Sequence, residues 1–262
     1  MVMTILGSGG WIGSALSKHL QQLGQEVKTV DRAHLISWLA ADDPQGPLIF
    51  AIGLTADFRQ RPHETCKAHV DLVSQVLQRK GVNELLYLSS TRVYSRSIDT
   101  SETAALPCLS SDPSDLYNLS KLLGEALVLQ DPRPGMRVVR LSNVIGVGQP
   151  RSTFVGALLA EARATKSVTI RQSPNNEKDY VALADVVRLL PQIAQNAQKR
   201  LYNLGRGVNT SHSEVAAWLE RQGIKVKFSS FPEPSFTFPP LQIERLSNEF
   251  VPPGRPFDQN LF

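Results

Sequence analysis

Residues 2–13 read VMTILGSGGWIG, an apolar run that leads directly into a glycine-rich turn. Gly7, Gly10 and Gly13 follow a G-x-x-G-x-x-G spacing. Glycine permits the tight turn, the approach of a pyrophosphate to the backbone and the close packing of a helix on a strand. Residues 12–23 then carry apolar side chains at helical spacing, and the N-terminus of such a helix favours phosphate groups. This strand, turn and helix predict a dinucleotide-binding unit.

The alternation of strand and helix patterns continues through the first half of the chain. Such an order predicts a parallel sheet with right-handed crossovers and helices on both faces. We therefore expect an α/β fold, a Rossmann-type doubly wound parallel sheet with a small C-terminal substrate-binding lobe. The predicted dinucleotide-binding domain spans residues 1–145. Residues 146–262 form mainly the lobe, with the chain near 176–200 returning to the Rossmann core. The Pro- and Phe-rich tail from Ser229 onward is expected to be mostly irregular chain on the lobe surface.

Composition excludes several classes of protein. Hydrophobic residues make up 42% of the chain and charged residues 20%, as in ordinary globular proteins. The net charge of +4 comes from scattered basic residues, so we expect no nucleic-acid partner. No apolar stretch approaches the roughly 18 residues of a membrane span, and the N-terminus resembles no secretory signal. The two cysteines have neither metal-ligand spacing nor a disulfide framework, which predicts a cytoplasmic protein without a bound metal.

Asp31 closes the second predicted strand, 18 residues after Gly13. An acidic side chain there accepts hydrogen bonds from the adenosine ribose and repels a 2′-phosphate, although a helix N-cap or turn role is the alternative. Arg32 could instead accept a 2′-phosphate. The expected cofactor is therefore NAD, with NADP left open. The remaining candidate cofactor contacts are in the glycine turn and around the end of the third predicted strand, residues 47–52: Trp11, Ile12, Ala51 and Gly53.

A tyrosine and a lysine mark a second candidate site. Tyr117 and Lys121 stand four residues apart on a predicted helix and therefore share a face. Ser89, Ser90 and Thr91 end the fourth predicted strand, at the sheet edge where open parallel sheets bind ligands. A surface pair at this spacing also arises by chance, so the pair alone only suggests catalysis.

Six segments taken together carry a resemblance to a known family. In this order they resemble the extended short-chain dehydrogenase/reductases, in particular the NAD-dependent epimerase/dehydratase family, over about residues 1–222. The segments are the glycine turn, LLYLSSTRVYS (85–95), YNLSKLLGE (117–125), VVRLSNVIG (138–146), EKDYVALADVV (177–187) and YNLGRG (202–207).

The resemblance implies roles for individual residues. Tyr117 is the general acid/base, Lys121 binds the nicotinamide ribose and lowers the tyrosine pKa, and Ser90 orients the substrate oxygen. Such a tyrosine takes a proton from a sugar hydroxyl while hydride leaves the same carbon for the cofactor. The implied substrate contacts are Ser90, Thr91, Asn143 and Lys178, and Lys178 stands near the diphosphate where the family usually has arginine.

The chain also departs from the family pattern. Thr91 and Arg92 occupy the positions of the acidic pair of 4,6-dehydratases, so a dehydratase is not expected. Only 16 residues separate Asp31 from Leu48, which leaves the usual third strand missing or cut short. His69 stands where the family often has asparagine, and a helix-surface or interface histidine is the expectation.

Arg59 and Arg61 follow the third predicted strand, at the ligand edge of the sheet. They would either meet an anionic substrate or lie in a solvated loop.

These features favour a nucleotide-sugar 4-epimerase. The alternative is an NAD(P)H-dependent 4-keto sugar reductase, and a catalytically silent dinucleotide sensor is a third hypothesis. The resemblance also implies a homodimer built from the helices at 64–79 and 115–130, whose apolar side chains exceed what one sheet face needs: Val70, Val73, Val76, Leu77, Leu119, Leu122, Leu123 and Leu127.

Overall fold

A six-stranded parallel sheet forms the centre of the computed structural model, which describes residues 2–42, 45–54, 57–229, 237–257 and 261. From one edge to the other the strands are β2 (Val27–Val30), β1 (Met3–Leu6), β3 (Leu48–Phe50), β4 (Glu84–Ser90), β5 (Gly135–Leu141) and β9 (Leu201–Leu204). Within the described ranges no strand lies beyond β2, as the short segment between Asp31 and Leu48 predicted.

Helices cover both faces of this sheet. Successive side chains of a strand point to opposite faces, and here both faces carry apolar side chains that must be buried. Met3 and Ile5 pack on one face, and Leu6 packs on the other. The first face is covered by α1 (Trp11–Gln22) and α7 (Leu183–Asn196). The second is covered by α2 (Leu35–Ala40), α4 (Leu72–Gln78) and α5 (Asp115–Gln130); α3 (Pro62–Cys66) and a π-helical segment (Lys67–Asp71) precede α4. The predicted doubly wound α/β fold is confirmed.

The C-terminal half adds a small lobe with its own core. Its three-stranded sheet has the order β10 (Asn209–Ser211), β8 (Glu177–Ala182) and β6 (Asn143–Ile145), and a parallel pair joins β7 (Ser167–Ile170) to β11 (Lys225–Phe228). The helices α6 (Phe154–Thr165) and α8 (His212–Arg221) pack against these strands around a buried Trp218.

Most of the apolar side chains in the described tail pack against the Rossmann core. Leu246 of α9 (Glu244–Glu249) is 0% exposed and packs in the same cluster as strands β1 and β4. Leu241 packs against Val93 and Tyr94, beside the end of β4. Apart from α9 the described tail is mostly irregular, as predicted. The expected place on the lobe surface is wrong for residues 241–250, whose apolar side chains cover the Rossmann core, whereas Phe257 packs against Trp218 of the lobe. Residues 230–236 lie outside the described ranges. The boundary at residues 145 and 146 remains a prediction.

The helices expected to form a dimer contribute most of their apolar side chains to the core. Val73 and Val76 are 0% exposed, and Leu77 and Leu127 pack against the same cluster. The expected surplus of apolar side chains is therefore limited to part of these helices, and the homodimer stays a prediction. Leu119 and Leu123 of α5 remain exposed. Within the described ranges, no helix has both the length and the apolar character that crossing a membrane requires.

Candidate active site

In the glycine turn between β1 and α1, the backbone packs too closely for a side chain at Gly7 or Gly13. Gly7 has a φ of +86°, and a Cβ there would lie 2.9 Å from the carbonyl carbon of Ala51. A Cβ on Gly13 would lie 2.3 Å from the carbonyl oxygen of Gly7. The amide of Gly10 donates to that same oxygen at 2.9 Å. The G-x-x-G-x-x-G spacing therefore belongs to a turn whose backbone segments pack directly against each other. Such a turn lets a pyrophosphate approach the backbone.

Trp11 connects this turn to the lobe. Its indole Nε1 donates to the carbonyl oxygen of Val147 at 3.0 Å. A Cβ on Gly146 would lie 3.4 Å from the indole ring. The side chain thus fixes the start of the lobe relative to the cofactor turn.

Asp31 lies beside the turn and organises the chain that follows it. Its Oδ1 accepts hydrogen bonds from the amides of Ala33 at 2.9 Å and His34 at 3.1 Å, and contacts His34 Nδ1 at 2.8 Å. These bonds, chiefly the one to the His34 side chain, lower the pKa of the Asp31 carboxyl. A Cβ on Gly9 would lie 3.7 Å from the Asp31 Cβ. Asp31 therefore stabilises the local turn, which is the alternative role stated above, and its side chain also borders the glycine turn. The neighbouring Arg32 is exposed.

The candidate catalytic hydroxyls meet where β4 ends. Ser90 caps a 3₁₀ helix (Thr91–Tyr94), and its Oγ accepts from the amide of Arg92 at 3.2 Å. Tyr117 of α5 is 4% exposed and packs against Phe58, with ring centroids 5.4 Å apart. Burial raises the pKa of the Tyr117 phenol, while the Ser90 hydroxyl and the Arg92 guanidinium act in the opposite direction.

The ammonium group of Lys121 is bonded to the end of β4. Its Nζ donates to the carbonyl oxygen of Leu88 at 2.9 Å and lies 5.0 Å from the centroid of the Tyr87 ring. A Cβ on Gly53 would lie 3.7 Å from Nζ, so the ammonium sits between the ends of β3 and β4. Burial lowers the pKa of Lys121 to about 7. The Tyr117 pKa is raised overall, and the groups that oppose this rise are Ser90 and Arg92; Lys121, the residue expected to lower it, is not among them.

His69 is a core residue of the site, and the expectation of a surface or interface histidine is wrong. It is 0% exposed, and its ring stands edge-on to the Tyr117 ring at 5.2 Å. The amide of Leu54 donates to Nε2 at 3.2 Å, so Nδ1 carries the proton toward Ser120 Oγ at 2.9 Å. Ser120 Oγ in turn donates to the carbonyl oxygen of Tyr117. Burial and the Lys121 charge lower the pKa of His69 to about 2, which keeps the ring neutral.

A buried ionic network joins α5, the helix that carries Tyr117 and Lys121, to the central sheet. Glu125 of α5 accepts two hydrogen bonds from Arg140 Nε and pairs with its Nη2 at 2.6 Å. Ser89 donates to the same carboxylate, and Arg140 also donates to the hydroxyl of Tyr94. The sequence offered one signal, since Glu125 stands one helical turn after Lys121 and shares its face.

Asn143 and Lys178 lie on neighbouring strands of the lobe. Asn143 Nδ2 donates to the carbonyl oxygen of Asp179 at 2.8 Å, which joins β6 to β8. Lys178 Nζ lies 5.7 Å from the centroid of the Phe154 ring. Burial lowers the pKa of Lys178, and the Arg92 charge acts in the same direction.

One cavity of about 840 Å³ joins these parts. Its lining runs from the glycine turn, past the ends of β3 and β4, to the lobe. It includes most of the predicted site residues: Gly10, Trp11, Ile12, Ala51, Gly53, Ser90, Thr91, Tyr117, Lys121, Asn143 and Lys178. Gly7, Gly13, Asp31 and Arg32 do not line it. Neither do Arg59, which donates to Ser114, and Arg61, which pairs with Asp57 and Glu64.

The comparison with protein families decides the assignment. The model of the NAD dependent epimerase/dehydratase family matches residues 3–205. The chain belongs to this family. The resemblance stated from the sequence is thereby confirmed, and so is the predicted dinucleotide cofactor, NAD with NADP left open.

Known proteins similar to this family member act on nucleotide sugars. A curated relative, dTDP-6-deoxy-L-talose 4-dehydrogenase (NAD(P)(+)) of Kitasatospora kifunensis, is 24% identical over 186 residues. This match covers 67% of the chain and only 58% of the relative's length.

Two solved structures share the fold at 20% identity and a TM-score of 0.81. TunA, an NAD-dependent NDP-hexosamine 5,6-dehydratase involved in tunicamycin biosynthesis, matches over 95% of this chain and 90% of its own. RMD of Pseudomonas aeruginosa in complex with NADPH matches over 99% and 94%.

Proposed function

We propose that this protein transfers hydride reversibly at a sugar carbon, C4, of a nucleotide-activated sugar. The observation that carries the proposal is the single cavity in which the glycine turn, Ser90, Tyr117, Lys121 and Lys178 meet. Family membership supplies the nicotinamide dinucleotide and the class of reaction. The curated 4-dehydrogenase supports a nucleotide-linked sugar as substrate and C4 as its reacting position.

In the proposed mechanism Tyr117 removes the proton from the C4 hydroxyl, which Ser90 orients by a hydrogen bond to the same oxygen. The glycine turn binds the pyrophosphate and Lys121 the nicotinamide ribose; when bound, the dinucleotide accepts the hydride of C4. His69 holds the backbone of Tyr117 through Ser120 and stays neutral, so it adds no charge beside the phenol. Lys178 and Asn143 hold the nucleotide part of the substrate.

A 4-epimerase, which recycles its cofactor, is the first candidate reaction. The carboxylate of Asp31 beside the glycine turn supports NAD as that cofactor. A 4-keto sugar reductase is the second candidate, favoured by Arg32 and by the 4-dehydrogenase activity of the curated relative. We propose against a 4,6-dehydratase, because Thr91 and Arg92 provide no carboxylate beside the catalytic hydroxyls to remove water.

The experiment that tests this proposal screens UDP- and dTDP-linked hexoses and 4-keto hexoses against the purified enzyme. An epimerase converts a nucleotide-hexose into its C4 epimer without net change in NADH absorbance. A reductase consumes added NADH or NADPH in stoichiometric amounts with a 4-keto sugar. Loss of water from a nucleotide-hexose would identify a dehydratase. Absence of any turnover across the panel would contradict catalysis and favour the third hypothesis, a catalytically silent dinucleotide sensor.

We also propose a homodimer through α5 and a cytoplasmic location. The exposed Leu119 and Leu123 of α5 support the dimer, and the unpaired thiols of Cys66 and Cys108 support a reducing compartment.

A further inference from the structure

Arg92 lies beside both proposed catalytic residues: its backbone amide bonds Ser90, and its guanidinium faces the Tyr117 ring. Its own amide donates to Ser90 Oγ at 3.2 Å, so the two residues are fixed relative to each other. The guanidinium carbon lies 6.0 Å from the centroid of the Tyr117 ring and 5.4 Å from that of Phe58. Arg92 also lines the cavity. Any group that binds this guanidinium therefore lies close to the reacting carbon.

The charge of Arg92 has no counter-ion among the described residues. No carboxylate of the described chain lies within 4.0 Å of its nitrogens, and its Nε is buried without a hydrogen-bond partner. Only Nη2 donates, to the carbonyl oxygen of Ser114 at the long distance of 3.4 Å. A buried donor without a partner costs free energy unless a ligand supplies the acceptor.

The nearby acidic residues are committed to another arginine. Asp115 pairs with Arg96 at 2.6 Å, and Asp112 pairs with the same guanidinium. Asp115 also accepts from the amide of Leu109 at 2.8 Å. These bonds hold both carboxylates around Arg96, so their charges act on Arg92 only through space and neither carboxylate forms an ion pair with it.

A second cation shares the cavity with Arg92. Lys178 also has no carboxylate within 4.0 Å among the described residues, and it lies close enough to Arg92 for the two charges to repel. Two unpaired cations that line one cavity indicate that its ligand carries more than one anionic group. A nucleotide diphosphate satisfies Lys178, and a further anionic oxygen group remains for Arg92.

We propose that Arg92 binds a carboxylate on the sugar ring, so that the substrate is a nucleotide-linked hexuronate. The inference rests on the proposed function, which places C4 of the sugar at Ser90 and Tyr117. In a pyranose the carboxylate-bearing C5 is bonded to C4, whereas C1, which carries the diphosphate, lies on the opposite side of the ring. A planar guanidinium binds a carboxylate through two parallel hydrogen bonds. The other source of anionic oxygens, the diphosphate, would require a different orientation of the sugar.

Arg59 provides a matched control for the arginine side chain. Its guanidinium carbon also lies over the Phe58 ring, at 4.5 Å, and it donates to Ser114 through Nη2 at 2.9 Å. It is exposed and does not line the cavity. The Arg59 charge also repels Arg92 through space, so Arg59→Gln measures what the loss of a nearby charge and packing contact outside the cavity does to binding.

The test measures binding in the NAD-loaded Tyr117→Phe protein, which blocks turnover. Isothermal titration uses matched pairs, UDP-glucose with UDP-glucuronate and dTDP-glucose with dTDP-glucuronate. We expect tighter binding of the glucuronate of at least one pair. Arg92→Gln should weaken its binding by roughly 10- to 100-fold, the range for hydrogen bonds to charged groups, with little effect on the glucose partner. Arg92→Lys should restore part of the loss, and Arg59→Gln should leave the preference unchanged.

Three outcomes would overturn the inference. Equal affinity for glucose and glucuronate before Arg92 is changed would show that no carboxylate subsite exists, and this measurement does not depend on whether an Arg92 variant folds. Equal weakening of both sugars by Arg92→Gln would assign the arginine to the diphosphate. In both cases the proposed function stands. Binding of none of the four ligands would instead overturn the proposed function and this inference together.

Discussion

The Tyr117 phenol lies among Phe58, His69 and Arg92, in packing that a phenylalanine ring preserves. We expect Tyr117→Phe to retain dinucleotide affinity and thermal stability and to lose turnover by about 10²- to 10⁴-fold, the usual contribution of a general acid/base. Steady-state rates with the identified substrate check this. Tyr202→Phe, which removes a phenol bonded to Glu249 in the core, should keep near-normal rates. Activity of the Tyr117 variant at the normal level would remove this residue from the mechanism.

Lys121 gives the ligand-free protein a specific dependence on pH. Its pKa is about 7 in the fold against 10.5 in the unfolded chain. Between these values the unfolded state binds one more proton, so the free energy of unfolding rises with pH. Below pH 7 both states are protonated and the contribution is flat. We expect chemical denaturation to show stability rising from about pH 7 toward pH 10 relative to Lys121→Met, in which the buried charge is absent. Parallel pH profiles for the two proteins would contradict the lowered pKa.

Asp31 decides between the two cofactors in our proposal. We expect NAD to bind more tightly than NADP, because the carboxylate accepts hydrogen bonds from ribose hydroxyls and repels a 2′-phosphate. Its lowered pKa keeps it ionised at neutral pH. Fluorescence titration of both cofactors should show the preference reduced in Asp31→Ala. His34→Ala is the control, because it removes a local partner of Asp31 and keeps the carboxylate. Preference for NADP in the unchanged protein would show that Arg32 dominates, and the reductase would then become the first candidate.

At the candidate site, the sequence predicts position best where the local pattern itself determines the geometry. Gly7 and Gly13 pack against each other in the glycine turn, where neither position has room for a Cβ. Tyr117 and Lys121 share a helix face and line the same cavity. His69 was misjudged because its burial depends on a tertiary partner, the hydroxyl of Ser120, which lies 51 residues further along the chain. No pattern near His69 in the sequence contains this information.

At the level of elements, the π-helical segment at Lys67–Asp71 fits tightly against α5. The hydroxyl of Tyr87 donates to the carbonyl oxygen of His69 at 3.1 Å. α5 presents Gly124 at this point, and a Cβ on Gly124 would lie 2.5 Å from both of these oxygens. The sequence predicts a regular helix over 64–79, because the apolar repeat does not show where one turn takes an extra residue and bonds i to i+5.

The contact at Gly124 predicts a cost for one added methyl group. Gly124→Ala improves helix propensity, but it forces α5 away from backbone that cannot move freely, so we expect a net destabilisation of about 1–3 kcal/mol. Thermal and denaturant unfolding measure this. Gly9→Ala is the control for stability, because the nearest atom to its added Cβ lies 3.7 Å away. A Gly124 variant as stable as the original protein would mean that α5 can shift without loss.

At the scale of the whole molecule, the regular alternation of elements made the fold predictable. Each strand of the parallel sheet is a short apolar run, and each crossover needs a helix. The tail was not predictable in this way, because its helix, Glu244–Glu249, is short and follows a Pro-rich stretch. Leu246 reaches the core only because the chain has already returned to the large sheet through α7 and β9.

Two exposed leucines on α5 predict that two copies of the chain associate through this helix. Leu119 is 38% exposed and Leu123 is 53% exposed, one turn apart on α5, the helix that also carries Tyr117 and Lys121. Pairing of α5 with its copy would bury both leucines. We expect a dimer at micromolar concentration by light scattering and a monomer for the double variant Leu119→Glu, Leu123→Glu. Ile98→Glu is the control, since Ile98 is 99% exposed and lies outside α5. A monomeric unmodified protein would contradict the dimer, and a dimeric double variant would place its interface elsewhere.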